Sequence, residues 1–456
     1  MKPVTPFRSI LAGPCLALIA ALAAAAPVAI AQPGHYLITD YGAVADGATL
    51  NTSAIQRAID AAASAGGGVA EIPKGRFLSG SIFLKKGVEL HLDDGAVLLG
   101  SQNIDDYPKQ QTRIEGHFQP WRMALVNVQQ MDHVRIDGSG QLNGNGAVYW
   151  AQFRARFQAN RNTTNLDVER PRLVFIDRCS DVRVDGISLQ DSGFWNLHLY
   201  HCNDVVITGV RINTPDRSQG NLIGSPSSDG IDVDSCQNVT IRGCNISDGD
   251  DDIALKGSKG PLADKDADSP PDENILIEDC EFGSGSGVLT CGSEATIVRN
   301  VTVRNCKLTG RGSVLMLKLR QDTPQHYTNI TIDGITAVDA GRLLSVSPWM
   351  QYFDLKGQPP PDRVVDQIVI RNVTGKFNQI GSMRGTAGDT IGDVSLENID
   401  VTVGNPTFNL GPVKNFTLKN VIVNGKPYEL PPEQKPIPVP GPRQTPPPAR
   451  AAPAPQ

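Results

Sequence analysis

Two acidic runs carry the groups most able to do chemistry: Asp229-Gly-Ile-Asp232-Val-Asp234 and Asp248-Gly-Asp250-Asp251-Asp252. Asp229 and Asp250 stand twenty-one positions apart. Carboxylates brought together repel, so one of them takes up a proton while its neighbour stays ionised. A protonated acid beside an ionised base is the pair that glycoside cleavage needs: one protonates the leaving oxygen and the other activates water or attacks carbon. Acidic turns are also common on protein surfaces, and a calcium site uses the same oxygens. On spacing alone these readings compete evenly.

What must position the aspartates is legible as a repeat. A short pattern, x-Asn/Asp-apolar-x-apolar-x-Gly/Asn-apolar, begins at Val134, Val182, Val205, Val239, Ile275, Val301, Ile330, Ile368, Val394 and Phe416. Within each copy apolar residues alternate, the period of a strand with one buried face. Asn, Asp and Gly supply the turns. Such short strands cannot bury a face alone, but stacked coil on coil they can. The expected fold is all-β: a right-handed parallel β-helix, a solenoid of about ten coils. Adjacent coils stack at ~4.8 Å, which sets Asp229 beside the Asp250-Asp251 pair. The open front edge needs a cover. Asn51-Thr52 can cap a short N-terminal helix whose apolar face includes Ile55 and Ile59.

The ends read differently. Lys2 and Arg8 precede an apolar run from Leu11 to Ala26, and Ala29-Ile-Ala31 is a small-x-small cleavage signal. The domain layout is therefore a signal peptide at 1–31, a β-helix at 32–430 and a Pro/Ala-rich tail at 431–456 expected to be disordered. Export to the periplasm or medium follows, with no membrane anchor. The net charge of −6 and the absence of a long basic stretch argue against a nucleic-acid partner. Of eight cysteines, Cys15 falls in the expected signal peptide; the seven left in the mature chain, Cys179, Cys202, Cys236, Cys244, Cys280, Cys291 and Cys306, are odd in number and match no zinc spacing. Small buried residues stacked in register are the favoured reading, with one disulfide left open. A monomer is the default.

Several segments together resemble the polygalacturonase family of pectin hydrolases, glycoside hydrolase family 28, from about Asp40 to Val423. Asp40-Tyr-Gly-Ala-Val-Ala-Asp46-Gly resembles its opening, and Gly140-Gln-Leu-Asn143-Gly144-Asn-Gly146 with Tyr149-Trp150 resembles a second motif. Ser225-Pro-Ser-Ser-Asp229-Gly matches an Asn-Thr-Asp motif at the Asp, and Gly249-Asp250-Asp251-Asp252-Ile-Ala matches Gly-Asp-Asp-Cys-Ile-Ala at both Asps. The resemblance implies an inverting hydrolase with Asp250 as general acid and Asp229 and Asp251 activating water. Such a pair stands roughly 6.5–9.5 Å apart. It implies a galacturonate-containing pectic substrate and neither metal nor organic cofactor.

Three positions depart from the pattern. The family's Gly-His-Gly falls on Gly285-Ser286-Gly287, its Arg-Ile-Lys on Met316-Leu317-Lys318, and a late Tyr on Phe353, after Gln351 and Tyr352. Ser286 and Lys318 become candidate substrate contacts, and Arg320, two residues beyond Lys318 on the same strand face, is a candidate substitute for the lost arginine. His326, just after that strand, is a further candidate contact. Trp121, Trp150, Trp195 and Trp349 fit a core role better than sugar stacking, and His198 and His201 fit structural roles. The altered residues leave room for a rhamnogalacturonan hydrolase or for an end-trimming mode. A calcium-dependent eliminase and a non-catalytic polysaccharide-binding β-helix stay open as well.

Overall fold

The computed structural model describes residues 34–214, 224–350 and 353–438. The signal-peptide segment, Gln351, Tyr352 and the tail beyond 438 lie outside the described residues. Helix α1 (Thr52–Ser64) buries Ala54, Ile55, Ala58, Ile59 and Ala62 against the first coil, as the apolar spacing requires. Asn51 does precede it, but its side chain makes no cap. The amide is instead spent on the loop before it, bonding the Val44 N–H at 2.7 Å and the Thr49 carbonyl at 2.7 Å. Asn51 itself is buried, while the loop at 44–50 is mostly exposed, and the amide ties that loop back onto the start of the helix.

Beyond α1 a hairpin, β1 (Lys109–Ile114) and β2 (His117–Arg122), pairs antiparallel and forms a separate small sheet. The solenoid's strands pair in parallel, coil upon coil. One face concerns the site: β3 (Leu197–Tyr200), β4 (Ile231–Asp234), β5 (Ile253–Lys256), β6 (Gly287–Cys291), β7 (Ser313–Arg320) and the end of the long β8 (Gln325–Trp349). Leu197 aligns with Ile231 and Ile231 with Ile253. The right-handed parallel β-helix is therefore the observed fold, and one continuous core of Val, Ile and Leu fills it.

Two side-chain stacks run along this core and its rim. The seven cysteines among the described residues are free and buried; the Sγ of Cys236 accepts from the Cys202 N–H, and that of Cys280 from the Cys244 N–H. Asparagines form an outer ladder. Asn238 donates to Asn203, Asn274 to Asn238, Asn300 to Asn274 and Asn329 to Asn300, at 2.8 to 3.2 Å. Asn238, Asn274, Asn300 and Asn329 all have φ between 52° and 59°. Asn tolerates this left-handed conformation and its amide repeats the bond from coil to coil. This is why the repeat carries Asn just before its first apolar residue.

The tail begins in order rather than loose. Gln434 N–H bonds Leu410 O at 2.7 Å and Ile437 N–H bonds Gly385 O at 2.9 Å. Arg384 donates to Lys435 O at 2.7 Å. Residues 431–438 thus strap the last coils, because open backbone groups there need partners.

Replacing Asn274 with Ala should lower the unfolding free energy by about 2 kcal/mol, combining a left-handed backbone cost with lost ladder bonds. Asn274→Gly should recover the backbone part only. Urea unfolding followed by circular dichroism checks both; equal losses in the two variants would contradict the conformational argument.

Candidate active site

The turn that leads into β4 and β5 gathers the aspartates. Gly230 N–H bonds Asp251 O and Ile231 N–H bonds Asp252 O, both at 2.9 Å. Asp229 therefore lies opposite Asp251, one residue later than a twenty-one-residue coil would place it. The difference arises because this coil takes one more residue before its strand, aligning Ile231 with Ile253. Gly249 lets the two turns touch. A Cβ there would fall 2.3 Å from Ser225 Oγ, and its N–H bonds Ser228 Oγ at 3.0 Å.

The three carboxyls differ sharply in their partners. Asp251 Oδ2 accepts from Lys318 Nζ at 2.6 Å. Its Oδ1 accepts from Thr290 Oγ1 at 3.0 Å and from Ser286 Oγ. Burial opposes ionisation, but Lys318, Lys256 and these hydrogen bonds outweigh it and hold Asp251 below the usual carboxylate value. Asp229 Oδ2 accepts from Lys256 Nζ at 2.9 Å. Burial and the Asp251 charge leave it raised in spite of the lysine. Asp250 is held by its backbone: its N–H donates to Asp248 Oδ1 at 2.9 Å, and its carbonyl accepts from Ser286 N–H at 2.5 Å. Its carboxyl meets no hydrogen bond or ion pair among the described residues. Burial, then the charges of Asp229 and Asp251, push it up to about 7. Asp232, Asp248 and Asp252 are fully buried with oxygens that accept no hydrogen bond among the described residues, although Lys256 Nζ stands 3.5 Å from Asp232 Oδ1, and burial raises all three.

The remaining candidates take other places. Ser286 points its hydroxyl at Asp251, so it orients a carboxylate where a substrate contact was expected. Lys318 does so too, and its ammonium lies 4.9 Å from the Trp349 ring centre. Arg320 is buried and paired with Asp322 at 2.7 Å. His326 lies outside the cluster, about half exposed, with Nε2 3.4 Å from Asp366. Trp121, Trp150 and Trp195 are buried, as their core reading requires. His198 is buried between Arg172, at 2.8 Å, and Asp234, at 3.4 Å. Burial pushes it down to about 3, so it is neutral.

Sequence reasoning missed Lys256, Arg113 and Arg170. Lys256 was legible by alternation, since in Ile253-Ala-Leu-Lys256 it shares Ala254's outward face. Arg113 belongs to the hairpin and donates to Asp234 at 2.9 and 3.1 Å. Arg170, fully buried between Phe153 and Phe194, donates to Pro226 O at 2.5 Å under the Asp229 loop. Among the described residues, ligand atoms close enough to share a cation occur at Glu89, His91 and Asp137, within 4.8 Å. They lie on strands that do not pair with those of the site, and His91 already bonds Asp137 at 2.5 Å.

Comparison with known proteins settles the relationship. Residues 70–422 match the model of glycosyl hydrolases family 28. The chain belongs to that family. It is 32% identical over 232 residues to a probable polygalacturonase of Vitis vinifera, covering 48% of this chain and 43% of that protein. It is 27% identical over 305 residues to a probable polygalacturonase of Arabidopsis thaliana, covering 66% of this chain and 58% of that one. The chain thus spans about half the length of these curated relatives. The solved exopolygalacturonase of Thermotoga maritima superposes with a TM-score of 0.74 at 25% identity, covering 87% of this chain and 94% of the other. Within family 28 the departures at Ser286, Met316 and Asp252, which stands where the motif has Cys, all fall in or beside the aspartate cluster.

Lys318→Met should destabilise the protein by about 3 kcal/mol near neutral pH, because it strands the buried Asp251 charge. The lysine depresses the folded carboxyl, so its contribution is present above the usual carboxylate value and fades as pH falls. The gap between variant and parent should therefore be full at about pH 7 and narrow toward about pH 3, below the usual carboxylate value. Denaturant unfolding at both pH values checks this; a gap independent of pH would contradict the pairing.

Proposed function

We propose that the protein is an inverting glycoside hydrolase that cleaves α-glycosidic bonds of galacturonate-containing pectin. The observation that carries the reading is the asymmetry of the cluster. Asp251 and Asp229 each accept an ammonium, whereas the Asp250 carboxyl has no partner among the described residues and is raised to about 7. Asp250 then holds the proton that the leaving oxygen receives. Asp251, kept ionised by Lys318, draws the proton from a water lodged between it and Asp229, and that water attacks the anomeric carbon from the opposite face. Ser286, Thr290 and Lys318 fix the base's orientation from behind.

The family's Thermotoga member, named an exopolygalacturonase, and the hairpin β1–β2 beside the sheet support cutting from a chain end. The leader read at 1–31 supports export, and no helix of the described residues is long and apolar enough to cross a membrane. Met316 favours a second reading. It aligns with Thr290 on the sheet's outer face, where the family motif carries a guanidinium, and an apolar side chain suits a neutral sugar such as rhamnose better than a uronate.

Asp250→Asn should cut turnover of polygalacturonate about a thousandfold with the circular dichroism spectrum unchanged. Undiminished turnover would remove Asp250 from the acid role. In the parent, the rate should fall as pH rises past about 7, where Asp250 loses its proton, and again in acid as Asp251 gains one. A profile flat through neutrality would contradict the assignment. Proton NMR of the first product formed should show the β-anomer; an α-anomer would exclude inversion. Turnover of rhamnogalacturonan oligomers but not polygalacturonate would select the second reading.

A further inference from the structure

An anionic polymer approaching this sheet meets cations that are already engaged. Lys318 holds Asp251 at 2.6 Å, Lys256 holds Asp229 at 2.9 Å and Arg320 holds Asp322 at 2.7 Å. Met316 supplies no charge. The carboxylates of a uronate chain must therefore find cations beside the sheet as well as on it.

Such cations line a cavity of about 430 Å³ beyond the C-terminal end of β5. Its walls include Arg113, His117 and Phe118 of the hairpin, Lys259 and Leu262 of the segment after β5, and Lys356. Arg113 is committed to Asp234 and Ser258. Lys259 has its nearest paired carboxylate, Glu115, at 3.7 Å, outside hydrogen-bond range. Lys356 is exposed and pairs with no carboxylate among the described residues. The one acid of the lining, Asp266, accepts hydrogen bonds from Ser258 and from the Asp268 N–H. Burial, followed by the charges of Lys259, Lys356 and Arg113, pushes His117 down to about 4. It faces the cavity as a neutral imidazole able to donate or accept.

The remaining wall is apolar. Phe118 is 36% exposed and Leu262 is 62% exposed, a flat face of the kind that packs on the C–H side of a pyranose. The wall is also fixed in place. Gly116, with φ 74°, brings the hairpin tip so near the next segment that a Cβ would stand 3.0 Å from Gly257 O and Lys259 N. Lys259 lies three residues beyond Lys256, whose ammonium holds Asp229. At ~3.3 Å per residue that is about 10 Å, one to two sugar units along a polysaccharide.

We propose that this cavity is a uronate subsite, reading the carboxylate of a sugar one or two positions from the scissile bond through Lys356 and Lys259, with Phe118 and Leu262 beneath its ring. The inference rests on the hydrolase reading for the identity of the polymer, and it relocates part of carboxylate recognition from the sheet to the hairpin wall.

Titration calorimetry on the full chain carrying Asp250→Asn, with trigalacturonate as the probe, tests it. Adding Lys356→Ala or Lys259→Ala should weaken binding about tenfold each, and raised salt should weaken the parent more than either variant. The fully methyl-esterified trimer should lose nothing on either substitution. Equal trigalacturonate affinity in all three proteins, or no trigalacturonate binding in any, overturns the subsite. Lys356 is exposed, so an unchanged melting temperature will show that its variant folds. Turnover of polygalacturonate by the unsubstituted protein is scored separately. Turnover with equal affinities sinks the subsite alone, whereas lysine-dependent binding without turnover sinks the hydrolase reading alone.

Discussion

Carboxyls on neighbouring coils of a parallel β-helix cannot move apart, because backbone hydrogen bonds fix their spacing. Here six of them, Asp229, Asp232, Asp248, Asp250, Asp251 and Asp252, share one turn of two stacked coils, and two ammonium groups, Lys256 and Lys318, reach them. Two cations can hold two carboxylates ionised. The others are driven toward the neutral form by burial and by each other. The sorting is decided by reach. Lys318 on β7 extends back to Asp251, Lys256 at the end of β5 extends to Asp229, and nothing cationic among the described residues bonds Asp250. A raised acid beside a depressed base is thus a consequence of crowding with too few counter-charges.

The same economy governs the wall of the cleft. The hairpin makes no ladder with the solenoid, so it needs another anchor. Arg113 supplies it by donating two hydrogen bonds to Asp234, with His198 and Arg172 packed around them. Both partners are about 1% exposed. Desolvating such a pair offsets much of its attraction, so its main effect is to fix where the hairpin docks rather than to add stability. Breaking it would strand Asp234 as an uncompensated charge, which makes the docked position hard to leave.

The solenoid was legible because its period repeats in apolar residues and in the Asn that takes a left-handed turn. The aspartates were legible because they stand in two dense runs. What escaped was register and pairing. The coil from Ile231 to Ile253 spans twenty-two residues, and that register alone singles out Asp251, of the Asp250-Asp251 pair, as the one opposite Asp229. Lys256 hid in a strand-like tetrapeptide. Ser286 and Arg320 were read by position along the chain, whereas their directions are set by contacts from other coils: Asp251 draws the serine hydroxyl and Asp322 the guanidinium. Asn51 failed as a cap for the same reason, since the backbone of Val44 and Thr49 holds its amide.

Ser286 shows what a departure from the family pattern does to the electrostatics of the turn. A cation at this position would act over distance on every carboxyl in the turn, lowering Asp250 together with Asp251 and narrowing the difference between them. A hydroxyl acts almost wholly through the one hydrogen bond it donates, and that bond goes to Asp251. With Thr290 donating to the same oxygen and Lys318 to the other, Asp251 is satisfied on both oxygens from the protein side. Asp250 gains no stabilisation for its ionised form from Ser286's side chain; it receives only the backbone contact from the Ser286 N–H to its carbonyl. The substitution therefore keeps the two carboxyls apart in acidity while removing a charge from the cleft. That removal leaves the binding of an anionic substrate to depend on cations elsewhere.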